Sequence, residues 1–469
     1  MSSSERKTPS LGLSLIPVVS LIAILYVGIA RLDASPHIPL ILAAVITGII
    51  GYTLGVPWKK LLDAIIHSIS ISMPAVLILI AIGILIGTWV ASGVVPLLIV
   101  YGLKILSPAI FLVATCLICS IVSFATGSSW STAGTVGVAL IAVGQGLQMP
   151  LPMVAGAIVS GAYFGDKLSP LSDTTNLAPA VAGAELFEHI KHMLFTTVPS
   201  LVIALILYAI LGLRLKGQTA SLEEVEALST TLQSIFNLSP VLLLAPAVVL
   251  VLIILRVPAL PSLLGGGFAG AILGVLFQGM GVGDMVTIMQ EGYVSETGTA
   301  HIDELLSRGG LDSMMWTVSL ILCAMAFGGL MEGTGMLASI SNAVLKFASS
   351  TGSLVASTVG TCIGMNILAP DQYLSVIVPG RMYKDAFEQS GLEAKNLSRC
   401  LEDAGTLTSP LIPWNTCGAT MMAALMVNPF AYLPFAFLNL INPIISVVYG
   451  FTGWTMVKKL PDAPQPEQD

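Results

Sequence analysis

From Ile105 to Gly165 the sequence contains no Asp, Glu, Lys or Arg, and the run ends in "YFGDKLSPLSDTTNLAPA", where Asp166, Lys167 and Asp173 arrive together. A stretch this long without charge, in a chain 55% apolar and only 10% charged with a mean hydropathy of +0.91, exceeds what one water-soluble core can bury. It belongs in a bilayer. A crossing helix needs about 20 apolar residues, and the segments 11–30, 36–55, 72–92, 193–213, 238–256, 259–281, 313–332, 352–369 and 429–450 reach that length. The expected fold class is an all-α polytopic membrane protein.

Short basic loops set the orientation, because Lys and Arg stay on the cytoplasmic side. Arg6 and Lys7, Lys59 and Lys60, and Lys458 and Lys459 together predict a multi-pass protein of the cytoplasmic membrane with both termini inside. The first apolar segment is longer than a signal-peptide core and lacks a small-residue cleavage site, so it reads as a retained span. The net charge of −7 lies largely in loops and the "PDAPQPEQD" tail, which leaves no basic stripe for nucleic acid. Cys116 and Cys119 form a lone CxxC without a second pair or a His cluster, so they read as helix-packing residues.

The polar connector 214–237, containing "SLEEVEALSTTLQ", divides the chain nearly in half. It separates a tail (1–10) and a first transmembrane repeat (11–213) from a second repeat (238–457) and a tail (458–469). Gly165, Ser169, Pro170 and Leu171 recur as Gly405, Ser409, Pro410 and Leu411, while Gly87 and Gly93 recur as Gly329 and Gly335. "TGSSWST" from Thr126 falls opposite "NILAPDQ" from Asn366. Such register points to duplication of the kind found in transporters.

Pro170 removes a backbone donor and disfavours helix at Ser169. Inside hydrocarbon, such a break survives only where protein or water satisfies the backbone. Asp166, Ser169, Ser172, Asp173, Thr174, Thr175 and Asn176 then surround the opening with hard oxygen atoms, which suit an alkali cation or a proton rather than zinc or copper. In the second half the matching candidates are Asp371 and Gln372 at one break and Asn415 and Thr416 at the other. Secondary candidates are Ser128, Ser129, Thr132, Glu332, Asn366, Glu402 and Asp403. A mid-membrane aspartate costs about 2.5–3.5 kcal/mol on insertion scales, so it marks function by default. A buried carboxylate that holds either a proton or Na+ exchanges the two when the loaded site changes sides. Asp173 is ranked above Asp166 for this role, because Lys167 is placed to pair with Asp166.

Structural readings stand beside these. Ser128, Ser129 and Thr132 also fit helix-packing hydroxyls. Glu332 fits a span end, and Glu402 and Asp403 fit the wet end of "YKDAFEQSGLEAKNLSR". Arg381 reads as an interfacial anchor, and His189 and His192 as part of a surface helix, "ELFEHIKHM". "GVGD" at Gly281 matches a short element of intramembrane aspartyl proteases, but no earlier span offers the second aspartate such a dyad requires, and the chain is not read as an enzyme.

"GAYFGDKLSPLSDTTNLA", "NILAPDQYLSVIVPGRMY" and "SPLIPWNTCGAT" resemble the NhaC-type Na+/H+ antiporter family of the ion transporter superfamily, over residues 10 to 455. The resemblance implies two inverted repeats, each with a re-entrant hairpin and a discontinuous helix, adding to roughly ten transmembrane helices. It also implies that the regions around Ser128 and Asp371 and the breaks at Asp173 and Asn415 form a central site. The expected activity is exchange of Na+ for H+ without a cofactor or any metal beyond the transported Na+. Exchange of malate or lactate coupled to the same ions is the alternative, disfavoured because Lys167 and Arg381 are the only evident buried cations. Membrane lipid is an expected partner. A homodimer is left open, since the spacing of Gly266, Gly270 and Gly274 favours close helix packing without naming the partner helix.

Overall fold

The computed structural model describes residues 9–32, 34–105, 107–215 and 222–459. Arg6, Lys7, the first part of the connector and the tail beyond Lys459 lie outside the described residues. The first half runs through α1 (Leu11–Leu32), α2 (His37–Thr53), α3 (Trp58–Ala91), α4 (Val94–Ile105), α5 (Pro108–Thr126), α6 (Ser129–Thr132), α7 (Val138–Gly146), α8 (Leu151–Leu168), α9 (Asp173–Ala182) and α10 (Leu186–Arg214). The second half begins with α11 (Leu222–Ile235), α12 (Leu244–Ile254), α13 (Ala259–Gln278), α14 (Val282–Glu291), α15 (Ala300–Leu306), α16 (Leu311–Gly333) and α17 (Met336–Leu345). It ends with α18 (Thr351–Leu368), α19 (Gln372–Gln389), α20 (Ala394–Leu401), α21 (Thr416–Leu425), α22 (Pro429–Tyr432) and α23 (Phe437–Thr452). Among the described residues there is no strand, only two isolated bridging pairs.

Seven of these helices are long and apolar enough to cross a membrane: α1, α3, α5, α10, α13, α16 and α18. Two bent pairs raise the number to 9, with α11 meeting the Pro240–Ile254 segment at 92° and α21 meeting the Pro429–Phe435 segment at 87°. The segment expected over 429–450 is divided, because Pro429 and Pro434 start a short helix and a 3-10 turn before α23. The segment expected over 72–92 is the last part of the 34-residue α3. A further candidate span, α5, lies inside the uncharged run and is absent from the spans assigned by sequence. The connector contains α11, whose Leu228 and Leu232 are buried. Part of the polar connector is thus an amphipathic helix.

The outer surface is apolar: Ile22, Ile121 and Leu276 are 59%, 69% and 70% exposed, as expected for side chains facing lipid tails rather than water. Lipid is as apolar as leucine, so helix association here depends on close packing and interhelical hydrogen bonds. Helices α5 and α8 meet where Gly161 and Gly165 admit the carbonyls of Cys116 and Ser120, positions a Cβ would overlap. The six cysteines are free, and Cys116 and Cys119 are buried at this contact. Gly266, Gly270 and Gly274 pack on Val249, Trp89 and Met285 of the same chain, and the Trp89 indole N–H donates to the Gly266 carbonyl at 3.0 Å. That stripe is satisfied internally, so it carries no argument for a dimer.

Helix breaks fall where the residues dictate. Ser169, before Pro170, is extended (φ −80°, ψ 127°) and ends α8. Ala369, before Pro370, leaves helical geometry (φ −120°, ψ 82°) and ends α18. Both obey the restriction that proline places on its predecessor. Gly127 takes φ +67° and ends α5, a left-handed conformation that glycine reaches without a Cβ penalty.

Candidate ion-binding site

Four helices that begin at these breaks are capped by a polar side chain. Ser128 accepts from the Ser131 N–H at 3.2 Å to start α6, and Ser172 accepts from the Thr175 N–H at 3.4 Å to start α9. Asp371 accepts from the N–H groups of Tyr373 and Leu374 at 2.9 and 3.1 Å to start α19, and Asn415 accepts from the Cys417 N–H at 3.0 Å to start α21. The N-caps Ser128 and Asp371 are 243 positions apart, and so are Ser172 and Asn415. The two pairs of caps thus share one spacing, which differs by one to three positions from that of the matched glycines. In each half the breaks cross: Gly127 lies against Leu171 and Ser172, and the Thr416 N–H donates to the Pro370 carbonyl at 3.0 Å.

A cavity of about 400 Å³ opens at the junction, lined by Ser128 to Ser131, Asp166, Ser172 to Thr174 and Asp371 to Tyr373. Asp166 is held at the start of α6. It is 6% exposed, and its Oδ2 accepts from both the N–H (3.0 Å) and the Oγ–H (2.6 Å) of Ser129. The start of a helix presents free N–H groups and positive partial charge, which steadies an anion. Asp371, 2% exposed, caps α19 through Oδ1, while its Oδ2 lies 3.4 Å from the Thr416 hydroxyl. Asp173 lines the same cavity but is exposed. Among the carboxylates that line the cavity, Asp166 and Asp371 are enclosed and Asp173 is open.

Lys167 does not pair with Asp166. Its ammonium bonds Asp403 in a fully buried ion pair between the two halves, and Asp403 also accepts from Thr196 at 3.0 Å and Asn442 at 2.7 Å. Arg399 stands 3.9 Å from the other Asp403 oxygen, also fully buried. Glu402 and Asp403 therefore do not lie at a wet end: both are 0% exposed and sit in a π-helical segment, Glu402–Thr406, continuous with α20. The segment "YKDAFEQSGLEAKNLSR" before them is the end of α19, a short turn and most of α20. His189 and His192 are likewise buried, with His189 Nδ1 2.8 Å from the Ser398 hydroxyl; the outer face of their helix carries Glu188 and Lys191.

Of the remaining candidates, Gln372 lines the cavity and the others do not. Thr175 donates to the carbonyls of Asp166 and Lys167 at 3.1 and 3.0 Å, which satisfies the end of α8. Asn176 is exposed and bonds the Pro170 and Ser172 carbonyls. Ser169 is buried beside the break. Thr132 returns its hydroxyl to the Ser128 carbonyl at 2.9 Å. Asn415 donates to the Asn366 carbonyl and side chain at 3.1 Å, and Asn366 donates to the Gly405 carbonyl at 2.8 Å, tying the second pair of breaks. Gln372 lines the cavity and accepts from the Cys417 thiol at 3.0 Å. Glu332 is exposed at the end of α16, outside the lining. Arg381 is exposed, and Asp284 is an exposed cap whose carboxylate accepts from the Gly281 N–H at 3.1 Å. Arg256, passed over in the sequence, lines the cavity. Its signal was the "RVP" turn between two apolar segments.

The model of the Na+/H+ antiporter family matches residues 161–454, which include every break of the second half and the Asp166–Asn176 segment of the first. The chain belongs to the Na+/H+ antiporter family. Within this family it is 42% identical, over 96% of its own length and 97% of the relative's, to the Na+/H+ antiporter NhaC of Alkalihalophilus pseudofirmus. It is 41% identical, over 90% of each chain, to the malate-2H+/Na+-lactate antiporter of Bacillus subtilis. An arginine/ornithine antiporter, ArcD of Halobacterium salinarum, is 39% identical over 99% of this chain and 96% of that one. Near-complete coverage by three exchangers places this family member among multi-pass membrane transporters.

Proposed function

We propose that this family member is a secondary antiporter exchanging Na+ for H+ across the cytoplasmic membrane, with both termini inside and its two halves inverted relative to one another. The observation that carries the reading is the pair of enclosed carboxylates, Asp166 and Asp371, at two helix breaks facing one cavity. Carboxylate and hydroxyl oxygens replace the hydration of a hard cation, and a proton on the same oxygens displaces it. Asp166 and Asp371 are the coupling groups, Ser129 and Thr416 position them, and Asp173, Ser128, Thr174 and Gln372 supply further oxygen at the cavity. Ser169, Thr175, Asn176, Asn366 and Asn415 hold the breaks open. No cofactor takes part, and Na+ and H+ are cargo.

The exchange couples two gradients without chemical turnover, so the reading is a carrier and not an enzyme. A second reading, exchange of small organic acids with Na+ and H+, is favoured by the relatives named for malate and lactate and for arginine and ornithine. Proteoliposomes carrying an internal pH dye test the first reading: Na+ added outside is expected to enter in exchange for luminal protons, so that the dye reports a rise in luminal pH, with Asp166→Asn and Asp371→Asn each silent. A wild type that leaves the dye unchanged under every Na+ gradient overturns it.

A further inference from the structure

Resting on the exchange at this same cavity, we propose that Glu402 carries a proton in that exchange, apart from the oxygens that meet Na+, and that the hydroxyl of Thr174 passes this proton to the cavity. Glu402 is the only buried glutamate among the described residues, at 0% exposed. It opens the π-helical segment Glu402–Thr406, a distortion of the kind that recurs at functional sites. Among the described residues neither of its carboxyl oxygens has a hydrogen-bond partner, and neither does the buried hydroxyl of Thr406 beside it. An ionised carboxylate only accepts, and is costly to bury without donors. The protonated acid brings a donor of its own. Thr174 also stands beside Glu402; it lines the cavity and lies 3.2 Å from the Ser172 hydroxyl at the same wall. The carboxyl is thus one side chain behind the cavity.

Charge supplies the coupling. Lys167, Arg399 and Asp403 form a fully buried cluster of two cations and one anion. Glu402 balances it when ionised and leaves one positive charge in excess when protonated. The π-helical segment packs against α8, α9, α10, α18, α19 and α23. Asp166 and Lys167 of α8 and Cys362 of α18 face Glu402, while His189 and His192 of α10 face Asp403. Lys167 directly follows Asp166 in α8, so Na+ at Asp166 adds positive charge beside a cluster that already has an excess of it, and like charges repel. Loss of the Glu402 proton removes the excess. The carboxyl O–H bond breaks, the Thr174 oxygen takes the proton, and the proton already on Thr174 leaves for water in the cavity. Departure of Na+ reverses each step.

Titration calorimetry of the full chain in two buffers of different ionisation enthalpy counts the protons released per Na+ bound, over a series of pH values. Glu402→Gln keeps the size of the side chain and removes its proton; at the maximum of that series it is expected to release about one proton fewer per Na+ than the wild type. Thr174→Val is expected to slow proton release at saturating Na+ at least tenfold in stopped flow with a pH dye, and Thr174→Ser to restore it. Infrared difference spectra of the wild type with isotope-labelled glutamate read the same event without a variant, and decide the matter where Glu402→Gln binds no Na+. Addition of Na+ is expected to remove a carboxylic-acid carbonyl band that the label shifts. The inference is overturned by a labelled band that does not respond to Na+, by Glu402→Gln releasing as many protons per Na+ as the wild type, or by Thr174→Val releasing them at the wild-type rate. Each of those results leaves exchange at Asp166 and Asp371 in place. A wild type that binds Na+ and releases no proton at all overturns both.

Discussion

The buried pair between Lys167 and Asp403 gives a prediction whose magnitude follows from its surroundings. Removing one partner of a buried ion pair leaves an uncompensated charge and costs about 3–5 kcal/mol. The two partners are not equally exposed to that cost. After Lys167→Ala, Asp403 keeps the hydroxyl of Thr196, the amide of Asn442 and the guanidinium of Arg399 at 3.9 Å, so the loss is expected near 3 kcal/mol. After Asp403→Ala, Lys167 has no second hydrogen-bond partner among the described residues, and Arg399 keeps Thr455, Met456 and the face of Tyr449; the expected loss is about 5 kcal/mol. A double variant, Lys167→Met with Asp403→Leu, removes both charges and is expected to be less damaged than the two single losses together by about 3 kcal/mol. Unfolding by SDS in mixed micelles, followed by tryptophan fluorescence, measures all three. Single variants within 1 kcal/mol of wild type (about a factor of five in the equilibrium), or purely additive losses, refute the reasoning.

Other consequences are simpler. Ser129→Ala removes a 2.6 Å hydrogen bond to the Asp166 carboxylate; such charge-assisted bonds contribute about 1.5–3 kcal/mol, so the Na+ concentration for half-maximal exchange is expected to rise at least tenfold. Glu332→Gln, at an exposed helix end, is expected to leave the exchange rate within twofold, about 0.4 kcal/mol, as read by the same vesicle assay. Outside the spans, Asp303 accepts from Thr297, Ser295 and Gly298, and the Thr297 backbone N–H in particular holds its carboxyl below the ordinary 3.8. A carboxyl whose folded value is depressed stabilises above its unfolded value and loses that contribution as pH falls through the folded one. Amide exchange at Ser295 to Gly298 is therefore expected to be slow near neutrality and to accelerate, after correction for intrinsic rates, only below that carboxylate range.

Much of this architecture was legible as sequence because hydrophobic length and proline position are local. Pro170 and Pro370 locate two breaks by restricting Ser169 and Ala369, and the hydroxyl and carboxylate residues beside them are the residues that cap the new helices. Pairing was not legible. Adjacent charges at Asp166 and Lys167 suggested each other, yet residues next to one another in a helix point about 100° apart; one side chain turns to Ser129 and the other to Asp403. Polarity likewise misplaced Glu402, Asp403, His189 and His192 at the surface, since a helix with charge on its inner face looks like a wet one until its partners α10 and α20 are brought together. Arg256 was lost in the boundary between two apolar segments. Its position at a cavity depends on α12 and α13 turning back together, a contact no local pattern encodes.

The central claim is that Asp166 and Asp371 take Na+ and H+ in turn at one cavity. Its most direct test is proton release on Na+ binding, by isothermal titration of the purified protein in two buffers of different ionisation enthalpy. The account predicts saturable Na+ binding with release of protons in the wild type, reduced in Asp166→Asn and in Asp371→Asn and absent in the double variant. Na+ binding with no proton release, or release undiminished in the double variant, contradicts it.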